Sequence, residues 1–104
     1  MDLTKNPSIQ DYQALVKNIV KERGFDKETV PEVFMLLTEE VGEFAKAARK
    51  ANGMSTDPKS QAHSVDEEAA DILWLLLDIC NRLDIDLAEA FQAKELKNRK
   101  RVWS

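Results

Sequence analysis

The sequence predicts an all-α protein whose four helices form a four-helix bundle-like arrangement. Apolar residues recur at helical spacing in four segments, capping residues precede these segments, and only three glycines and three prolines serve the turns. At 104 residues, the chain is expected to form one domain, residues 1–104. A domain of this size buries about 60–65% of its unfolded surface, so its core is marginal alone and oligomerisation is a common remedy.

The first helix is predicted over residues 7–23. Asn6 or Ser8 can cap it, and Pro7 suits a first-turn position because its missing N–H needs no partner there. Gly24 ends it, because glycine adopts the left-handed conformation that follows many helices.

The second helix is predicted over residues 30–50. Thr29 and Glu32 have the spacing of a capping box, and Pro31 lies in the first turn, where proline is tolerated. The dipeptide Asn52-Gly53 stops this helix, and a polar segment without periodicity follows it.

The third helix is predicted over residues 65–83 and the fourth over residues 87–102, each after a serine or aspartate cap. The middle of the third helix, "ILWLLLDIC", is apolar almost all round, so we expect it to be covered on more than one side, with another subunit as the second cover. The short connection before Leu87 predicts that the last two helices are antiparallel neighbours.

Composition excludes several classes of function. The net charge is −4 and no basic block stands out except the last turn, "KNRKR", so broad nucleic-acid binding is not expected. The N-terminus does not resemble a signal peptide, and the longest apolar run is far below the ~20 residues that span a bilayer. The single cysteine, Cys80, reads as a small buried hydrophobe. We therefore expect a cytoplasmic protein without a membrane partner.

Three glutamates interrupt the apolar side of the second helix in the stretch "LLTEEVGEF". At about 100° per residue, Glu40 falls inside the apolar arc of this helix. Glu43 falls at the edge of the arc and Glu39 one step outside it. Carboxylates that serve only to face solvent would lie on the opposite side of the helix. The position of Glu40 and Glu43 among apolar residues therefore suggests a function.

The third helix repeats this pattern. Glu68 is flanked by apolar residues on the helix surface, and Asp71 lies at the rim of that arc with Asp78 and Arg82. Each of the two helices therefore carries an acidic pair at spacing i, i+3, which puts both side chains on one face. If the helices pack face to face, four carboxylates converge. A solvated or salt-bridged face is the alternative.

Such a cluster must be protonated, paired with cations or bound to a metal, because unpaired buried carboxylates cost several kcal/mol each. Bundle-type di-iron sites use Glu-x-x-His, which is absent, and the only histidine, His63, lies in the predicted polar loop of residues 52–63. Oxygen-only ligation favours Mg²⁺ or Mn²⁺. Because Mg²⁺ often completes its shell with phosphate oxygens, the cluster suggests a phosphorylated substrate.

The acidic motifs resemble the Glu-Glu-x-x-Glu … Glu-x-x-Asp signature of the MazG-like all-α nucleoside triphosphate pyrophosphohydrolases. The matching residues are Glu39, Glu40 and Glu43 in "EEVGE", and Glu68 and Asp71 in "EAAD". The likeness extends over "LTEEVGEFAKAARK" and "DEEAADILWLLLDICNRLDIDLAEAFQAKELKNRKRVW", about half the chain, and is weak before residue 34.

This resemblance implies a homodimer, or a homotetramer formed as a dimer of dimers. It implies Mg²⁺-dependent cleavage of a nucleoside triphosphate between its α and β phosphates, giving a monophosphate and pyrophosphate, a reaction suited to house-cleaning of the nucleotide pool. Glu40, Glu43, Glu68 and Asp71 match the metal ligands of the family. Glu39 matches the first glutamate of the motif, which in relatives orients the attacking water or holds a further metal.

Residues outside the acidic motifs match substrate-binding positions of the family. Lys94 and Asn98 match a Lys-x-x-x-Asn pair used on substrate phosphates or sugar, and Arg101 lies on the same face. This face also carries Phe91, so we expect it to pack inward.

Relatives often stack the base on an aromatic residue of the first helix or of the loop after it. Phe25 occupies a position where some relatives carry a tryptophan, and Tyr12 and Phe34 are other candidates.

Three alternatives remain open at this stage. A non-catalytic helical interaction protein would use the acidic cluster as a surface, and a ferritin-like di-metal enzyme is opposed by the missing Glu-x-x-His. A third keeps the fold but prefers dUTP, dCTP or a phosphoribosyl-nucleotide. Trp74 is interpreted as a core or interface residue rather than a base-stacking one.

Overall fold

The structure is a computed structural model that describes residues 2–53 and 64–101. Its α-helices are α1 (Ile9–Glu22), α2 (Val30–Ala51), α3 (Val65–Arg82) and α4 (Leu87–Arg99), and short 3-10 helices span Leu3–Lys5 and Phe25–Lys27. No strand occurs in the described residues, which confirms the all-α prediction. In those same two segments, no helix is both long and apolar enough to cross a bilayer. Residues 54–63 of the predicted polar loop, including His63, lie outside the described residues.

The N-terminal caps explain where the helices begin. Ser8 and Thr29 each form a capping box, in which the cap hydroxyl accepts from the backbone N–H three residues on and that residue's carboxylate accepts in return. Because Ser8 is the cap, α1 begins at Ile9, and the prediction that Pro7 lies in its first turn is wrong. Helix α4 ends at Arg99, short of the predicted residue 102.

Helix α3 is the centre of the molecule. It packs extensively against α2 and also against α1, whereas α4 packs mainly on α1. Buried Val16 and Val20 of α1 and Leu77 of α3 form a core cluster on which Tyr12, Trp74 and Leu87 pack. The prediction that α3 is covered on two sides is therefore confirmed, although both covers come from its own chain.

The prediction that α4 packs antiparallel against α3 is wrong, because residues of α1 bond to the connection between the two helices and direct α4 elsewhere. Asp84 adopts a left-handed conformation, and the N–H of Ile85 donates to the carbonyl of Cys80, which closes the end of α3. The buried Gln13 of α1 then donates to Ile85 O at 2.6 Å and accepts from Leu87 N–H at 3.1 Å. These bonds direct α4 onto α1.

A buried ion pair connects α3 to the link between α1 and α2. Arg82 Nε donates to Asp78 Oδ1 at 2.9 Å, and the other guanidinium nitrogens donate to the carbonyl oxygens of Phe25 and Glu28. Asp78 was expected at the rim of its helix, but it is only 4% exposed. The neighbouring Cys80 is also buried, which confirms the expected small hydrophobe, and burial raises the pKa of its thiol.

Candidate metal centre

Three carboxylates from the two central helices meet at one place. Glu40 of α2 and Glu68 and Asp71 of α3 each offer an oxygen, and these oxygens lie within 4.8 Å of one another. Glu68 is buried, Glu40 is half-buried and Asp71 is exposed. The cluster therefore extends from the packed surface between α2 and α3 to solvent, as the face-to-face prediction required.

The heptad spacing of α2 explains why Glu40 points at α3. The two buried residues of α2 are Val33 and Ala47, which lie seven positions before and seven positions after Glu40. Seven residues are close to two full turns, so these three side chains form a line along the helix. A residue in the middle of this line faces α3, whatever its polarity.

Helix geometry also favours an anion at Glu68. This residue lies in the first turn of α3, after the cap Ser64. The helix dipole and free backbone N–H groups stabilise negative charge at this end. The first turn of α3 can therefore hold a carboxylate that is only 4% exposed.

The cluster changes the protonation of Glu40. A hydrogen bond with Glu68, then burial, and then the negative charges of Glu68, Asp71 and Glu43 raise the pKa of Glu40 to about 6. Glu40 therefore keeps its proton to a higher pH than an ordinary glutamate does, and it is mostly ionised at neutral pH. Hydrogen bonding, burial and like charges act in the same direction here.

The chemistry of the donor set suits a hard divalent cation. All three donors are carboxylate oxygens from different positions, with no nitrogen or sulfur among them. This composition fits Mg²⁺ or Mn²⁺ and does not fit a zinc or di-iron centre of the histidine-containing kind. A divalent ion held by these oxygens would offset the negative charge of the three carboxylates.

Two further acidic residues of the α2 motif are neighbours of Glu40 in the sequence. Glu43 is half-buried one turn after Glu40, and its charge contributes to the raised pKa of Glu40. Glu39 precedes Glu40 and is exposed. Both therefore border the cluster without belonging to the group of three.

The predicted substrate residues are not gathered with the carboxylates within one chain. Lys94 and Arg101 are exposed and Asn98 is half-buried, on or just after a helix that packs mainly on α1. Phe91, on the same face, is 72% exposed, so the expectation that this face packs inward is wrong for the single chain. Phe25 is also exposed, and its carbonyl accepts from Arg82.

An apolar pocket opens directly beside the carboxylates. It has a volume of about 250 Å³, and it is lined by Leu36, Glu40, Asp71, Trp74 and Leu75. Trp74 was interpreted as a core or interface residue, and it does pack on the core cluster, yet it is only half-buried and also lines this pocket. Its spacing of three residues from Asp71 is the sequence signal that could have indicated this position.

Comparison with known proteins agrees with the fold. The family model of the MazG nucleotide pyrophosphohydrolase domain matches residues 28–103, well over half of the chain. The crystal structure of YPJD from Bacillus subtilis, described as a candidate pyrophosphatase, is similar with a TM-score of 0.80 and 28% sequence identity, over 94% of this chain and 99% of that one. No curated protein sequence matches. The chain therefore belongs to the family of MazG nucleotide pyrophosphohydrolase domains.

Proposed function

We propose that this chain acts as one domain and hydrolyses nucleoside or deoxynucleoside triphosphates to the monophosphate and pyrophosphate with a divalent metal. The observation that supports this most strongly is the meeting of Glu40, Glu68 and Asp71 within 4.8 Å. A binding protein without catalysis would gain nothing from three carboxylates that are held this close together. An enzyme that must bring a polyphosphate to a metal needs such a group.

Glu40, Glu43, Glu68 and Asp71 would hold Mg²⁺, and Mn²⁺ would also suit these oxygens. The bound ion would offset the negative charge of the phosphates and make the α phosphorus more electrophilic. Glu43 is included because its charge already acts on Glu40. The half-exposed position of the cluster would leave room for phosphate oxygens to complete the coordination.

The remaining roles belong to the side chains around the cluster. Glu39 would accept a proton from the water that attacks the α phosphorus in line, while the bond from that phosphorus to the bridging oxygen breaks. Lys94 would stabilise the charge that develops on the leaving pyrophosphate. Asn98 and Arg101 would bind the phosphates or the sugar, and Phe25 would contact the substrate.

Oligomerisation and localisation complete the proposal. The chain would act as a homodimer or homotetramer, because large apolar side chains such as Phe34, Met35, Leu73 and Leu76 are exposed on the two central helices. Assembly would also allow Lys94 of one chain to reach the carboxylates of another. We propose a cytoplasmic location because the one cysteine is a buried free thiol.

The decisive experiment measures pyrophosphate release from a panel of normal and damaged nucleoside triphosphates with Mg²⁺. The wild-type protein should convert at least one of them to its monophosphate. Glu40→Gln or Asp71→Asn should lower turnover by at least ~100-fold, because each removes a charged metal ligand. Both variants should keep their helical circular dichroism.

Glu67→Gln is the matched control, since Glu67 is an exposed glutamate next to Glu68 that lies outside the cluster. Its turnover should equal that of the wild type. Full activity in Glu40→Gln would show that the metal assignment is wrong. Phosphate release without pyrophosphate would show that a different bond is cleaved.

A further inference from the structure

We infer that the pocket formed by Leu36, Trp74 and Leu75 receives the nucleobase of the substrate, and that Trp74 stacks on it. This inference rests on the proposed function and adds the site of base recognition to it. The base-contacting aromatic would then be on α3 beside the carboxylates, and Phe25, which does not line this pocket, would not be the stacking residue.

The first argument is continuity between the pocket and the carboxylates. Glu40 and Asp71, two of the three clustered residues, also line the pocket. A molecule bound there therefore lies next to the cluster, without an intervening side chain. A nucleotide whose phosphates were held at the carboxylates could therefore place its base in this pocket.

The second argument is the direction in which the pocket extends. Leu36 lies four residues before Glu40 on α2, and Trp74 lies three residues after Asp71 on α3. Because Leu36 and Trp74 meet in the same pocket, the two helices run in opposite directions, and both residues are displaced from the carboxylates to the same side. The displacement is one helical turn, about 5.4 Å, a distance that a ribose can span.

The third argument is size and chemistry. The pocket holds about 250 Å³, below the roughly 300–1,000 Å³ of sites that enclose a whole drug-sized ligand, so it fits one ring system of a nucleotide. Two leucines and an indole offer a flat apolar surface. Every base has a π-face that stacks on an aromatic side chain, whichever hydrogen-bonding groups it carries. Trp74 retains exposed surface for this contact although it packs on the core cluster.

The test uses the fluorescence of Trp74. Trp103 is the only other tryptophan, so Trp103→Phe leaves Trp74 as the single reporter. The probes are the non-hydrolysable α,β-imido analogues of the deoxynucleoside triphosphates, each with Mg²⁺, and inorganic tripolyphosphate with Mg²⁺ as a ligand without a base. At least one nucleotide should quench the emission saturably, whereas tripolyphosphate should bind without quenching it.

Substitutions in the pocket distinguish binding of the base from binding of the phosphates. Trp74→Leu should raise the Kd for the nucleotide analogue roughly 5- to 100-fold and leave the Kd for tripolyphosphate unchanged. Leu36→Ala should act in the same direction by roughly fivefold, and because Leu36 is 40% exposed this change does not threaten the fold. Leu83→Ala, at a leucine of similar exposure outside the pocket, is the matched control and should leave both constants unchanged.

Nucleotide binding with neither quenching nor any effect of Leu36→Ala would overturn the inference and leave the proposed function intact, since wild-type turnover would remain. Absence of turnover and of nucleotide binding in the wild-type protein would overturn both. If Trp74→Leu fails to fold, Leu36→Ala and the quenching experiment decide the question.

Discussion

At the scale of single residues, Glu40 is the residue whose position and charge matter most for the carboxylate cluster. Its position in the line from Val33 to Ala47 forces it toward α3, where Glu68 and Asp71 already lie. The hydrogen bond with Glu68, then burial, and then the neighbouring negative charges raise the pKa of Glu40 to about 6. A carboxylate of this kind links protonation, metal binding and stability.

The raised pKa predicts how pH affects the metal-free protein. Between its ordinary value of 4.5 and about 6, the folded protein holds a proton at Glu40 that the unfolded chain releases. The contribution of this group to the free energy of unfolding is therefore full below pH 4.5 and is lost as pH rises through 6. Thermal unfolding in EDTA from pH 4.5 to 7 measures this loss.

Glu40→Gln supplies the reference, because every other titrating group is present in both proteins. The stability of the wild type relative to this variant should fall as pH rises through the window. Added Mg²⁺ should reverse the trend, since the metal binds the ionised form and its affinity increases with pH. Parallel pH profiles for the two proteins would contradict the prediction.

At the scale of elements, α3 performs several tasks at once. One part of its surface carries Glu68 and packs on α2, another packs on α1 through Leu77, and its last turn holds the α1–α2 link through Arg82. Two arginine–acid pairs at spacing i, i+4 allow the last task to be tested. Asp78–Arg82 is 2.9 Å long with side chains 6% and 13% exposed, whereas Glu95–Arg99 is 3.7 Å long and exposed.

Asp78→Asn should lower the free energy of unfolding by about 3 kcal/mol, because it leaves Arg82, whose side chain is only 13% exposed, without its counter-charge. Glu95→Gln should cost less than about 0.5 kcal/mol, because an exposed pair gains little over its hydrated ions. Chemical denaturation of the two variants and the wild type gives both values. Similar costs for the two substitutions would mean that Asp78–Arg82 does not anchor the link between α1 and α2.

For the whole molecule, the exposed apolar surface is the main unexplained property. Leu73 and Leu76 on α3 and Phe34 and Val41 on α2 remain exposed although they are large and apolar. A chain of 104 residues with this surface is expected to self-associate.

We therefore expect light scattering to give two or four times the mass of one chain. Leu76→Asp should reduce this mass, because it introduces a charge into the apolar surface of α3. Leu3→Asp, at an exposed leucine outside α2 and α3, should not change it. A single-chain mass for the wild-type protein would refute this expectation.

Much of the fold and of the acidic site could be predicted from the sequence because both depend on local rules. Capping residues and apolar periodicity place α2 and α3 nearly to the residue. The i, i+3 spacing of the acidic pairs puts each pair on one helix face, and the apolar residues around Glu40 and Glu68 indicate that these faces pack. Three of the four carboxylates do meet within 4.8 Å.

Only the tertiary structure decided what depends on contacts between distant residues. Gln13 directs α4 onto α1, and Arg82 bonds to carbonyls more than fifty positions away, so no local pattern indicates either contact. The pocket beside Trp74 likewise exists because α2 and α3 run in opposite directions in one particular register. Helical periodicity assigns a side chain to a face of its own helix, whereas the side chain it meets depends on how the whole chain packs.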